Sequence, residues 1–208
     1  QPATWYELNL EWPCGFYLSW LEIHGTNDSD WSTDPSDESQ VTAGYVWKKG
    51  SYKFKLQTTV INLHPIERWL DNDRYAFEAL ASRTWKFKAM GTHTLTPEIR
   101  LGWFADTQKI AKGVPFVMPT LYHKWDSPFG LSLIAIQSRV ALAWDGGLYR
   151  NDADGVFLQA ETGLLWKVDK NVSVTLPGIK TFVPLSHGIN DGRGDNSNTF
   201  FGSIKFDF

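Results

Sequence analysis

Hydrophobic and polar residues alternate along this chain with a period of two, not the 3.6 of a helix. In "VTAGYVW", Val41, Ala43, Tyr45 and Trp47 share one side. In "YKFKLQTTV", Tyr52, Phe54, Leu56, Thr58 and Val60 oppose Lys53, Lys55 and Gln57. "LTPEIRLGW" sets Leu95, Ile99, Leu101 and Trp103 against Thr96, Glu98 and Arg100. "VFLQAETGLLWK" sets Val156, Leu158, Ala160, Leu164 and Trp166 against Gln159, Glu161 and Lys167. Successive side chains of a strand point to opposite faces, so each segment reads as a strand with one oily and one polar face. "HPIERWLDNDRYAFEALASR" fits either a short helix or a long loop running into a strand.

The connections alternate too. Short ones read "KKGS", "AMGTH", "DSPFG" and "VDKN"; long polar ones read "TNDSDWSTDPSDES", "HPIERWLDNDRY", "DTQKIAKG", "DGGLYRNDADG" and "SHGINDGRGDNSNT". That rhythm predicts an up-and-down antiparallel meander with tight turns at one end and long loops at the other. Nine strands follow Val41, near 40–48, 51–63, 76–89, 94–105, 114–125, 130–144, 156–168, 172–185 and 199–208. The opening "TWYELNLEWPCGFYLSWLEIHG" is either one long strand with a bulge at Pro13-Cys14-Gly15, or a hairpin. The first gives ten strands and the second eleven; bacterial single-chain barrels prefer an even number, so ten is the expected count, with twelve or eight as alternatives.

A soluble sandwich and a membrane barrel both alternate, and three features favour the barrel. Trp47, Trp125 and Trp166 fall at short-turn ends and Trp103 and Trp144 at long-loop ends, all on the apolar side, as two girdles at the two interfaces of a bilayer. Charges such as Lys53, Lys55, Glu98, Arg100, Arg139 and Glu161 recur in mid-strand on the other side, in strands long enough to cross a membrane when tilted. Closure would remove the unpaired edges that lipid does not tolerate. The expected fold is all-β: one transmembrane antiparallel up-and-down β-barrel domain over residues 1–208.

The last strand, "NTFFGSIKFDF", alternates Phe200, Gly202, Ile204, Phe206 and Phe208 against Phe201, Ser203, Lys205 and Asp207. It resembles the carboxy-terminal signal of bacterial outer-membrane β-barrel proteins. The resemblance implies a Gram-negative outer membrane, with lipid bilayer and lipopolysaccharide as surroundings. It also implies that Phe200, Ile204, Phe206 and Phe208 are read by the outer-membrane assembly machinery. No subfamily is indicated.

The polar parity then belongs to the lumen. The opening segment offers Glu7, Glu11 and Glu22, and later strands offer Lys48, Lys53, Lys55, Lys86, Lys88, Glu98, Arg100, Arg139, Glu161, Lys167, Lys205 and Asp207. Lys180 joins them if Pro177-Gly178 forms a bulge that shifts the register. Arg139 and Glu161 lie on neighbouring strands, and Glu98 is next to the strand of Lys86 and Lys88, so cross-strand ion pairs are expected. Basic groups outnumber acidic ones on this face. A narrow passive channel favouring small polar or anionic solutes is the functional expectation. A lipid-modifying or proteolytic barrel with a rim site around His24 and His187 is the alternative, and a structural or adhesive barrel acting through its loops is another. No "GxSxG", paired His–Glu metal helix or barrel-protease signature supports an enzyme, so no catalytic residue is assigned.

Composition changes little. A formal charge of −3 over 208 residues excludes a dedicated nucleic-acid binder, which needs a basic excess against phosphates. Cys14 is alone, so no disulfide framework exists. "NDSD" at 27–30 and "NDADG" at 151–155 resemble pieces of calcium loops but lack the Glu at position twelve; no metal or cofactor is assigned. "RGD" at 193–195 reads as turn chemistry. A first residue of Gln1 reads as a mature or trimmed chain whose export signal, if any, has gone.

Overall fold

The computed structural model describes residues 3–25, 38–63, 74–106, 113–145, 155–169, 172–185 and 197–206. Twelve strands are present: β1 (Ala3–Glu11), β2 (Phe16–Gly25), β3 (Glu38–Lys49), β4 (Tyr52–Leu63), β5 (Arg74–Arg83), β6 (Trp85–Lys88), β7 (Thr92–Asp106), β8 (Val114–Asp126), β9 (Ile134–Asp145), β10 (Gly155–Lys167), β11 (Val172–Pro184) and β12 (Ser197–Phe206). They hydrogen-bond in chain order, except that β6 pairs only with β7. A 3-10 turn, Pro128–Gly130, precedes β9. The up-and-down meander is thus present, with the strand count changed at two places.

The first change is at the opening, which is a hairpin and not one long strand: β1 and β2 pair antiparallel from Ala3↔Gly25 to Glu11↔Tyr17. Gly15 makes the reversal. Its φ of +96° suits only glycine, its N–H donates to Trp12 O at 2.9 Å, and an added Cβ would stand 2.4 Å from Val46 O. The hairpin corrects one face assignment. Glu22 pairs with Tyr6 and bonds the Trp20 indole at 2.8 Å, so it lies on the apolar face, opposite to Glu7 and Glu11. The second change is at Thr84, which separates β5 from β6. Its N–H donates to Ser51 O at 2.9 Å and its hydroxyl bonds Thr96 at 3.1 Å. The stretch 76–89 expected as one strand is therefore two. The segment 64–73, left open between helix and loop, lies outside the described residues; Arg74 onward is strand.

Alternation in burial follows the alternation in sequence, with the usual sense reversed. Leu56, Leu101, Val140, Leu142 and Ile204 are exposed, Leu56 by 51% and Ile204 by 62%. On β9 the polar face holds buried Ala135 and Ala141, both fully enclosed, flanking Gln137 and Arg139. No large side chain is fully buried among the described residues. A protein in water does not leave so continuous an apolar surface uncovered. This arrangement argues against the soluble sandwich, whose oily sides would meet in a dry centre.

Contacts divide the chain into two compact units. Unit 1 is Gln1–Lys49, Lys53–Leu80 and Leu101–Pro115; unit 2 is Gly50–Tyr52, Ala81–Arg100 and Phe116–Phe208. In unit 1, Tyr17 pairs across from Gly44, and its ring covers the space where a Cβ of Gly44 would stand. In unit 2, a register shift between Thr175 and Gly178 exchanges the faces of β11, the bulge expected near Pro177. It places Gly178 opposite Gly163 and Lys180 opposite Glu161.

Candidate functional site

The polar face of unit 2 carries a half-open cavity of about 340 Å³. Six strands contribute: Thr94 and Thr96 from β7, Tyr122 and Lys124 from β8, Gln137 and Arg139 from β9, Glu161 and Gly163 from β10, Thr175 from β11, and Phe201 and Ser203 from β12. The space exists because small residues meet there. Gly163 and Gly178 face each other across β10 and β11, and Phe201 lies over Gly178.

Charge on this face is unequal. Among the described residues of unit 2, Lys86, Lys88, Arg100, Lys124, Arg139, Lys167 and Lys180 alternate onto the polar side, against Glu98, Asp126 and Glu161. Several cations are partnered. Asp126 Oδ1 lies 2.7 Å from Lys167 Nζ and 3.1 Å from Lys124 Nζ, so one carboxylate serves two ammonium groups. Glu98 lies 3.7 Å from Arg100 on its own strand. This differs from the expected pairing with Lys86 or Lys88, because the β6 register sets Lys86 opposite Thr94 and Lys88 opposite Thr92, out of step with Glu98.

Arg139 is opposed directly to Glu161, as expected, but no ion pair joins them among the described residues. Its guanidinium turns instead to Met118, with Nη2 3.9 Å from Sδ, and stands 5.9 Å from the centre of the Tyr122 ring. Among the described residues its Nε is buried without a hydrogen-bond partner, and so is Thr120 Oγ1 on the same face of β8. A guanidinium holds donors in a fixed fork and does not deprotonate, so Arg139 offers a permanent positive charge beside the cavity.

Unit 1 closes its polar face differently. The Tyr17 hydroxyl donates to Gln57 Oε1 at 2.5 Å, and Gln57 Nε2 donates to the buried Glu78 carboxylate. Lys55 Nζ lies 4.1 Å from the centre of the Tyr17 ring, and buried Thr42 and Thr59 bond at 2.8 Å. Lys53 alternates onto the same face, exposed near the β3–β4 turn. Lys48 pairs with Glu11 at 2.9 Å.

The tryptophans singled out in the sequence all lie on the apolar face. Trp47, Trp103, Trp144 and Trp166 are exposed, and Trp125 donates its indole N–H to Met90 O at 3.1 Å. Phe200 and Ile204 are exposed on β12; Phe206 is its last residue and Phe208 lies outside the described residues. Of the two histidines of the rim hypothesis, His24 on β2 stands opposite Thr4 of β1, and His187 lies outside the described residues.

Several polar-face residues escaped the sequence reading. Lys124 and Asp126 were legible, because Trp125 fixes the apolar parity of β8 and its neighbours must then face the other way. Tyr17 and Glu78 were not, since their roles depend on cross-strand register. The His93–His123 pair was missed as well. His93 Nε2 bonds Ala89 O at 2.9 Å, which makes that nitrogen a donor; in the neutral pair Nδ1 then accepts from His123 Nε2–H at 3.0 Å. Phe87 and Trp125 stack on His93, and His123 is also among the residues that line the cavity.

No family model matches the chain, and no curated protein matches it. Among solved structures it is similar to a KdgM porin in complex with disordered oligogalacturonate, at 12% identity and a TM-score of 0.61, covering 99% of this chain and 92% of that one. The likeness therefore runs through the whole meander. The chain has the fold of that porin, an antiparallel up-and-down β-barrel.

Proposed function

We propose that this chain forms, as one domain, a narrow passive channel in the bacterial outer membrane for small polar or anionic solutes. The observation that carries the reading is the cavity of about 340 Å³ on the polar face, lined by Arg139 and Lys124 against Glu161. A basic excess in a confined, low-dielectric passage raises the local concentration of anions and lowers that of cations. Thr94, Thr96, Gln137 and Ser203 supply the neutral hydrogen-bonding groups that replace a solute's hydration shell. The similar porin was solved with an oligogalacturonate, a polyanionic sugar, which suits a passage of this sign.

The apolar face would meet hydrocarbon, with Trp47, Trp103, Trp125, Trp144 and Trp166 at its interfaces with headgroups and lipopolysaccharide. The remaining basic residues of the polar parity, Lys53, Lys55, Lys86, Lys88, Arg100 and Lys167, would extend the positive field along the passage. Recordings of the purified protein in a planar bilayer under a salt gradient test this reading. The expected result is conductance with a reversal potential on the anion side. Absence of conductance, or cation preference, defeats it.

A further inference from the structure

The apolar face is interrupted by a cation. Arg83 ends β5 and is exposed; Trp85, two residues on and hence on the same side, pairs with apolar Leu95. The Arg83 guanidinium carbon lies 5.0 Å from the centre of the Tyr52 ring and 4.9 Å from that of Trp85, both rings themselves exposed. The site is at the short-turn edge of the sheet, because Tyr52 opens β4 directly after the Gly50 turn and Thr84 N–H bonds Ser51 O at 2.9 Å.

Stacking on aromatic rings uses the flat faces of a guanidinium and leaves its in-plane N–H groups directed outward. Among the described residues no carboxylate pairs with Arg83. A permanent cation with a free donor fork, braced by Tyr52 and Trp85 where an apolar surface ends, matches one chemistry of the bilayer: the phosphodiester of a phospholipid headgroup. There the acyl chains would lie along the apolar face while two phosphate oxygens accept bidentate bonds.

We propose that Arg83, held by Tyr52 and Trp85, is a binding site for a phospholipid phosphate on the outer wall of the barrel. It is separate from the passage proposed above, and loss of conductance would not touch it. Lysine at this position would keep the charge but not the fork.

Native mass spectrometry of the detergent-purified protein tests it, with phosphatidylglycerol, diacylglycerol and inorganic phosphate as separate probes. Wild-type protein should retain phosphatidylglycerol through activation that strips diacylglycerol. Arg83→Gln should lose that retention, Arg83→Lys should keep part of it, and Lys86→Gln, on the opposite face of β6, should behave as wild type. Heat-modifiable migration on a gel confirms that each variant is folded; if Arg83→Gln is not, the weakened retention by Arg83→Lys decides. Equal retention by wild type and the Arg83 variants, equal retention of diacylglycerol, or displacement of the lipid by inorganic phosphate overturns the proposal.

Discussion

Tyr17 in unit 1 and Phe201 in unit 2 use the same device, an aromatic ring laid over a glycine on the neighbouring strand, Gly44 for one and Gly178 for the other. What lies beyond each ring differs. Tyr17 continues into a relay through Gln57 to the buried Glu78, with Lys55 on its ring and the Thr42–Thr59 bond on the same face, so these polar groups satisfy one another. Phe201 borders the cavity, and there Glu161 stands opposite both Arg139 and Lys180 without an ion pair to either, among the described residues. Both faces are written in the same alternating pattern. One reads as structural polarity and the other as polarity held ready for a solute, and the difference lies in which groups are already partnered.

The largest test concerns the face assignment on which that comparison stands. Leu158→Arg puts a charge on the apolar side of β10 and should cost about 2–4 kcal/mol, as for a lipid-facing charge near the membrane centre. Gln159→Arg, one residue along and on the polar side, should cost under about 0.5 kcal/mol, as surface substitutions usually do. Urea unfolding in lipid vesicles measures both. Equal losses would overturn the face assignment, and a larger loss at Gln159 would mean that the two faces had been exchanged.

Next in size is the contrast between the two carboxylates. Glu78→Ala removes the buried acceptor of the half-buried Gln57 amide and should destabilise by about 1–3 kcal/mol. Glu161→Gln removes a charge that makes no ion pair and should stay within about 1 kcal/mol of wild type. A loss at Glu161 matching that at Glu78 would erase the distinction between the units. Charge reversal sharpens it from the functional side. Arg139→Glu changes the local field by two elementary charges, on the order of 1.5 kcal/mol for an ion passing at ~10 Å in an effective dielectric of ~40. Anion permeability should fall about tenfold and cation permeability rise about as much, so their ratio should fall about a hundredfold, since 1.4 kcal/mol is a factor of ten. Lys55→Glu in unit 1, where the ammonium already rests on Tyr17, should change the ratio less.

The strands were legible because alternation is a local property: β3, β4, β7, β8, β10 and β11 lie within a few residues of where the pattern put them. The bulge at Pro177 was legible for the same reason, since proline cannot donate to a ladder. The opening hairpin was not, because Leu8-Asn9-Leu10 and Phe16-Tyr17-Leu18 remain alternating whether Gly15 makes a bulge or a turn, and only its positive φ decides. Glu22 changed faces as a direct result. Pairing choices were the least legible. Glu98 has Lys86 and Lys88 on a neighbouring strand, but a register offset hands it to Arg100, and Arg139 faces Glu161 yet turns to Met118. The cavity comes from Gly163 meeting Gly178, two glycines whose encounter depends on where the bulge places the register.

The smallest test compares two buried threonines. Thr42 in unit 1 shares a hydrogen bond with Thr59 at 2.8 Å, whereas Thr120 in unit 2 is equally buried and its hydroxyl finds no protein partner among the described residues. Valine has nearly the shape of threonine without the hydroxyl, so each substitution isolates the polar group. Thr42→Val leaves the Thr59 hydroxyl alone in a buried place and should cost about 1 kcal/mol. Thr120→Val removes a group that gains nothing from its protein neighbours and should be neutral or slightly stabilising in the same urea titration. The asymmetry arises because the penalty belongs to the abandoned partner, and Thr120 has none to abandon. Should Thr120→Val cost as much as Thr42→Val, the polar face of unit 2 would be as fully partnered as that of unit 1. Arg139, Glu161 and Lys180 would then belong to the framework and not to a passage.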